Sequence, residues 1–196
     1  MSIRNSEIRN SETSVENKIL DAAAECIVAN GVERMTMTEI ARRARVSRPT
    51  IYRRWPDIRW VIAEVLTARI AGTLEDIPDR GVGREAVVDR VVAVAERLRR
   101  DAVVMSVIIN APNLAMVYIT ERLGTSQKIL VDVLAEAIKA AQHDGSVRVG
   151  DPHQMAAMCM LITQSTIQSA QMVEALLDTD ALNVELAHSL NGYLKP

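Results

Sequence analysis

Apolar residues along this chain recur at three- and four-residue steps and almost nowhere in strict alternation. That periodicity belongs to amphipathic helices. Val15, Ile19, Ala22, Ala23, Cys26 and Ile27 form one stripe and predict a helix over about Ser14–Ala29, closed by Asn30-Gly31. Ile40, Ala41 and Ala44 form a second stripe, with Thr36 and Glu39 ahead of it at capping-box spacing. Ser47 is placed to cap a third, short helix that tolerates Pro49 in its first turn. A fourth follows Pro56, capped by Asp57 and carrying Ile58, Val61, Ile62, Val65, Leu66 and Ile70. The segment Ile77 to Gly83, with Pro78, Gly81 and Gly83, is the clear break. Beyond it, helices are predicted over about Arg84–Arg100 and 101–110, and then over a segment carrying Leu114, Val117, Tyr118 and Leu123. Three more are predicted over about Ser126–Gln142, Pro152–Leu177 and Asp180–Leu194. The expected fold class is all-α. Residues 2–12 hold IRNSE twice and show no apolar stripe, so residues 1–13 are expected to be a disordered arm.

Composition narrows the kind of core. Of 196 residues, 48% are hydrophobic but only 3% are aromatic, and Phe is absent. The core must be aliphatic, with nine Met to fill irregular gaps. Cys26 and Cys159 lie on apolar helix faces and read as small core residues rather than a disulfide. No stretch approaches the length of a membrane span and no signal peptide is present, so a cytoplasmic protein is expected.

The net charge of −2 conceals an asymmetry. Residues 1–59 carry eleven basic and eight acidic side chains, whereas residues 60–196 carry twelve basic and seventeen acidic. The basic excess concentrates between Arg34 and Arg59, where eight arginines (34, 42, 43, 45, 48, 53, 54 and 59) face only Glu39 and Asp57. On the short third helix, Ile51 and Trp55 share the inward face, Pro49 and Arg53 the outward one, and Thr50 and Tyr52 the shoulders. A capped helix, a three-residue turn at Arg45-Val46-Ser47 and a second capped helix coincide with this charge. That combination points to a helix-turn-helix DNA-binding unit over residues 14–60, followed by a helical body over residues 61–196.

The same residues resemble the tetracycline-repressor (TetR) family of bacterial transcription regulators. The likeness runs from about Glu16 to Leu66. It takes in Ile19-Leu20-Asp21-Ala22-Ala23, Gly31, Thr36, Ile40-Ala41, Val46-Ser47, Thr50-Ile51-Tyr52, Trp55-Pro56 and Ala63-Glu64. Four positions depart from the family pattern: Arg45 and Pro49 stand where Gly is frequent, and Asp57-Ile58 where Ser-Lys is frequent. If Arg45 must turn left-handed, the cost is about 1 kcal/mol, against a possible phosphate contact. The resemblance implies a homodimer on a pseudo-palindromic operator in double-stranded DNA. It also implies a repressor that lets go when a small apolar effector binds the second domain.

The candidate site residues follow. For DNA they are Thr36, Arg43, Arg45, Arg48, Pro49, Thr50, Tyr52, Arg53, Arg54 and Arg59. For the effector they are Met105, Ile109, Asn110, Tyr118, Met158 and Gln164, a largely apolar wall with a few orienting polar groups. For the dimer interface they are Ile167, Met172, Leu176, Leu182, Leu186 and Leu190 on the last two helices. No catalytic constellation, phosphate loop or nucleophile motif occurs, so neither an enzyme nor a cofactor is expected. His143 and His153, with Asp144 and Asp151, lack the spacing of a helical metal site and read as solvated loop residues. Two rival readings stay open: an all-helical ligand-binding protein, and a dimeric architectural DNA-binding protein without effector control.

Overall fold

The computed structural model describes residues 2–79, 81–111 and 124–196. Among them the helices are α1 (Ser2–Asn30), α2 (Met37–Ala44), α3 (Arg48–Tyr52), α4 (Ile58–Asp76), α5 (Arg84–Arg100), α6 (Ala102–Asn110), α7 (Thr125–His143), α8 (Pro152–Val173) and α9 (Thr179–Leu194). A short 3-10 turn, Val32–Arg34, precedes α2. No strand occurs among the described residues, and the fold is all-α. The segment carrying Leu114, Val117, Tyr118 and Leu123 lies outside the described residues.

Two ends differ from expectation. Helical backbone begins at Ser2, not near Ser14. Residues 2–13 contain no Gly or Pro to stop a helix that already runs C-terminal to them. At the other end, α8 stops at Val173, where the amides of Leu176 and Leu177 both turn back to the Val173 carbonyl at 2.8 Å.

The chain divides into two compact units: residues up to Arg69 together with α6, and Ile70–Asp101 together with α7, α8 and α9. The division falls within α4, C-terminal to the boundary expected at residue 60. In the first unit, Ile19, Ala22, Ala23, Cys26 and Ile27 of α1 meet Ile40, Ala41 and Ala44 of α2, Ile51 and Trp55 around α3, and Val61, Ile62 and Val65 of α4. Val103 and Val107 of α6 complete this core, and the Ser106 hydroxyl donates to the Ile27 carbonyl at 3.3 Å. Burial of each large aliphatic side chain contributes about 1.5–3 kcal/mol. Trp55, 2% exposed, is the largest buried side chain of this core, and its indole N–H donates to Glu64 Oε2 at 2.6 Å.

The second unit has an aliphatic core. Val87, Val88, Val94, Ala95 and Leu98 of α5 pack with faces of α7, α8 and α9 that bury Val131, Ala135, Ile138, Met155, Cys159, Leu182, Leu186, Leu190 and Leu194. Cys26 and Cys159 are both buried free thiols; burial pushes the Cys159 thiol up to about 11, so neither behaves as a reactive cysteine. The connection after α7 is held by Arg148. Its amide donates to the Leu194 carbonyl at 2.9 Å, its Nε to the Tyr193 carbonyl at 2.9 Å, and its guanidinium lies 4.6 Å from the Tyr193 ring centre.

Candidate nucleic-acid interface

The basic stretch folds as two capped helices around a tight turn. Thr36 Oγ1 accepts the Glu39 amide at 3.2 Å and starts α2; Ser47 Oγ accepts the Thr50 amide at 3.3 Å and starts α3. Between them Arg45 sits at φ 55°, ψ 41°, the one non-glycine residue with positive φ among those described. Its amide donates back to the Arg42 carbonyl at 3.3 Å, and the next amide, Val46, to Ala41 at 3.0 Å. These bonds close α2 in the left-handed manner usually left to Gly. They turn the chain so that α3 projects with Ile51 buried and Pro49, Tyr52 and Arg53 exposed. One further turn extends it, with the Trp55 amide on the Ile51 carbonyl at 2.9 Å.

The eight arginines separate into bound and unbound. Arg42 and Arg43 both reach Glu39; Arg43 also lies 3.9 Å from Glu25. Arg54 bridges Glu16 at 3.3 Å and Glu64 at 3.8 Å, which ties α3 to α1 and α4. Arg59 pairs with Asp57 at 3.2 Å. Arg48 donates to the Thr38 hydroxyl. Arg34, Arg45 and Arg53 make no ion pair or side-chain hydrogen bond among the described residues. Arg45 and Arg53 flank α3 itself, so the unneutralised charge stands at the helix that projects.

The capping box expected at Thr36 and Glu39 forms by half. The Thr36 hydroxyl caps, but the Glu39 carboxylate turns to Arg42 and Arg43, whose hydrogen bonds hold it at about 2, well below the usual carboxylate range. Arginine wins because a guanidinium offers a charged, forked donor, whereas the Thr36 amide offers one neutral N–H. Asp57 caps α4 as expected, accepting the Arg59 amide at 2.8 Å. Burial pushes Asp57 up, but the side-chain and backbone bonds from Arg59 outweigh it and its pKa lies below the ordinary value. Beside α3 a shallow depression of about 330 Å³ is lined by Thr36, Thr38, Tyr52, Pro56, Asp57 and Ile58.

Comparison with known proteins decides the family. Residues 19–65 match the model of the bacterial regulatory proteins, tetR family. Over 185 residues, 94% of this chain and 97% of the relative, the sequence is 55% identical to an uncharacterized HTH-type transcriptional regulator of Mycobacterium tuberculosis. The same holds for one of Mycobacterium bovis. The chain belongs to the TetR family. It is a DNA-binding transcription regulator, and α2 and α3 are its helix-turn-helix. Solved TetR-like folds include RolR in complex with resorcinol, with TM-score 0.69 at 13% identity, 95% of this chain and 90% of that one covered. The transcriptional repressor QsdR of Rhodococcus erythropolis superposes with TM-score 0.68 at 16% identity, over 94% and 97% of the two chains.

The other expected site residues fall as follows. Met105, Ile109 and Asn110 are on α6 in the first unit, with Ile109 46% exposed. Met158 and Gln164 are on α8 in the second; Met158 is 43% exposed, and Gln164 Oε1 accepts from Gln127 Nε2 at 2.9 Å. Tyr118 lies outside the described residues. Of the residues expected at a dimer interface, Met172 and Leu176 are exposed at 80% and 87%, but Leu182, Leu186 and Leu190 are buried within a single chain. These three cannot meet a partner without leaving their own core. Ile167 is buried as well. No group of three or more metal-ligating side chains occurs among the described residues, and His153 lies 3.7 Å from Asp132 on the surface. No helix among them is long and apolar enough to cross a membrane.

Sequence reasoning missed Glu16 and Glu64 as partners of Arg54 and Trp55. Their separations in sequence carry no local signal. It also missed the Glu39–Arg42–Arg43 cluster, although that signal is local: i,i+3 and i,i+4 neighbours share one helix face.

Proposed function

We propose that this TetR-family regulator is a homodimeric repressor that reads a pseudo-palindromic operator through α3 and releases it when a small effector binds. The observation that carries the DNA half is the pair Arg45 and Arg53, unpaired on either side of an exposed, capped α3. In this reading Arg53 reaches base edges, while Arg45 and the hydroxyls of Thr36 and Tyr52 meet phosphate. Two copies are needed because one short helix contacts too few bases for useful specificity.

For the dimer, α8 offers a stripe of Met158, Leu161, Ser165, Gln168 and Met172, at alternating three- and four-residue steps. Leu161 is 54% exposed and Met172 is 80% exposed. Leu176, just beyond the helix end and 87% exposed, continues the apolar surface. This surface, rather than Leu182, Leu186 and Leu190, is the contact between copies. An interface of this kind buries about 2,000 Å² or more in total.

The effector half leans on the relatives. RolR is solved with resorcinol, which supports a small effector here, and QsdR is a repressor, which supports repression as the sign of control. Met105, Ile109 and Asn110 on α6 remain proposed contacts; Met158 fits the dimer stripe better than a pocket wall. The test is selection of bound duplexes from a random-sequence pool. Enrichment of a two-fold symmetric site with half-sites about one helical turn apart supports the reading. Recovery of an asymmetric site, or of no preferred site, overturns it.

A further inference from the structure

Glu39 is the acid that stands inside the basic face of α2. Arg42 meets it as a fork, Nε to Oε2 at 2.9 Å and Nη2 to Oε1 at 2.6 Å, and Arg43 Nε adds a third bond to Oε1 at 2.9 Å. The helix does not need this carboxylate for its start, because Thr36 caps the Glu39 amide, which any residue supplies. What the carboxylate does is present two anionic oxygens to two guanidiniums, the arrangement a DNA phosphate offers. The Arg42 side chain is 70% exposed, so its head is within reach of solvent anions once released. Arg43 is the more enclosed of the two, at 25%, with Glu25 as a second neighbour.

We propose that Glu39 restrains non-specific DNA binding: it occupies Arg42 and Arg43 in the free protein, so a phosphate gains them only by displacing a carboxylate already in place. Binding without sequence preference comes from phosphate neutralisation and counterion release. An arginine that begins neutralised adds little to that sum. Arg45 and Arg53, which begin unpaired, add fully. The restraint therefore weakens binding to arbitrary duplex and leaves the contacts that depend on α3 untouched. It rests on the DNA-binding role and assigns Glu39 a part in its selectivity.

Glu39→Gln tests it, because the amide keeps the shape and the capped backbone N–H while losing the charge. Fluorescence anisotropy with a labelled mixed-sequence duplex of about 30 base pairs, titrated from about 50 to 300 mM KCl, gives both affinity and salt slope. The variant should bind about three- to tenfold more tightly at low salt, with a slope steeper by about one per protomer. Arg42→Ala should abolish that gain when combined with Glu39→Gln, yet cost little alone. Glu39→Ala carries the same expectation should the glutamine variant lose its circular-dichroism spectrum. Unchanged or weaker binding with an unchanged slope overturns the restraint. Failure of wild type and variant alike to bind duplex at the lowest salt overturns the DNA-binding role of this face as well.

Discussion

Arg45 holds two opposed effects at one position, and Arg45→Gly separates them. The residue sits at φ 55°, ψ 41°. A side chain there costs about 1–2 kcal/mol, because Cβ crowds the following carbonyl. Glycine removes that crowding but loosens the unfolded chain, which returns about 0.4–1 kcal/mol. The net expectation is stabilisation by about 0.5–1 kcal/mol, or a rise of roughly 1–4 °C in the unfolding midpoint for a chain of this length. Nothing else is lost in the fold, since the Arg45 guanidinium has no partner among the described residues. DNA binding should move the other way. One unpaired cation per protomer disappears, so the slope of log affinity against log salt should fall by about 0.9 per protomer.

Differential scanning calorimetry and salt-titrated anisotropy measure the two effects on one preparation. Arg45→Lys is the control: it keeps charge and Cβ, so stability should match wild type and the salt slope should persist. A lower midpoint for Arg45→Gly would mean that the arginine makes a stabilising contact. An unchanged slope would mean that it never reaches phosphate. Either result refutes the account of why Arg stands where the turn favours Gly.

Three further outcomes are expected. Arg53→Ala should relax base preference at one operator position at a cost of about 1–3 kcal/mol, measured by sequencing selected duplexes; uniform loss with intact preference would make Arg53 a phosphate contact. Glu39 titrates at about 2 in the fold against an ordinary 4.5, and Asp57 and Asp144 are shifted the same way. Their stabilisation is present above the unfolded value and is lost as pH falls through the folded one, so the unfolding midpoint should drop between about pH 4.5 and 2. Glu39→Gln should flatten part of that drop, and parallel curves would remove Glu39 from the acid response. Leu161→Glu should yield a folded monomer in sedimentation, while Leu186→Glu, placing an unpaired charge in the core, should cost about 3–5 kcal/mol and the fold itself. A dimeric Leu161→Glu protein would move the interface elsewhere.

Much of the fold was readable because its signals are local. The α5 bounds and the caps at Thr36, Ser47 and Asp57 follow from residues within four positions of one another, whereas the left-handed Arg45 was raised only as a condition, from the Gly that the TetR pattern favours there. The start of α1 was not readable, because Ile3 and Ile8 of the two IRNSE copies stand five residues apart, off the three- and four-residue steps that mark a helix face. At the interface, sequence supplied the charge but not its pairing. Eight arginines against two local acids read as one basic field, yet Arg54 is neutralised from Glu16 and Glu64, on helices outside that stretch. A count of charge within a window overstates what a phosphate meets whenever the fold brings in acids from elsewhere.

The last two helices show the complementary limit. In sequence, Leu182, Leu186 and Leu190 and the α8 series Met158, Leu161 and Met172 are alike: apolar residues at helical spacing. Periodicity says that a face is covered, not by what. The structure separates them, because α9 lays its leucines against α5 and α8, at 7%, 2% and 1% exposure, while the α8 series stays open. The composition of each stripe agrees with that division. The buried one is pure leucine, as a single-chain core requires, whereas the open one mixes Met and Leu with Ser165 and Gln168. A face that must tolerate water before a partner arrives keeps some polar groups, and Met adapts its shape to a surface that forms only on contact.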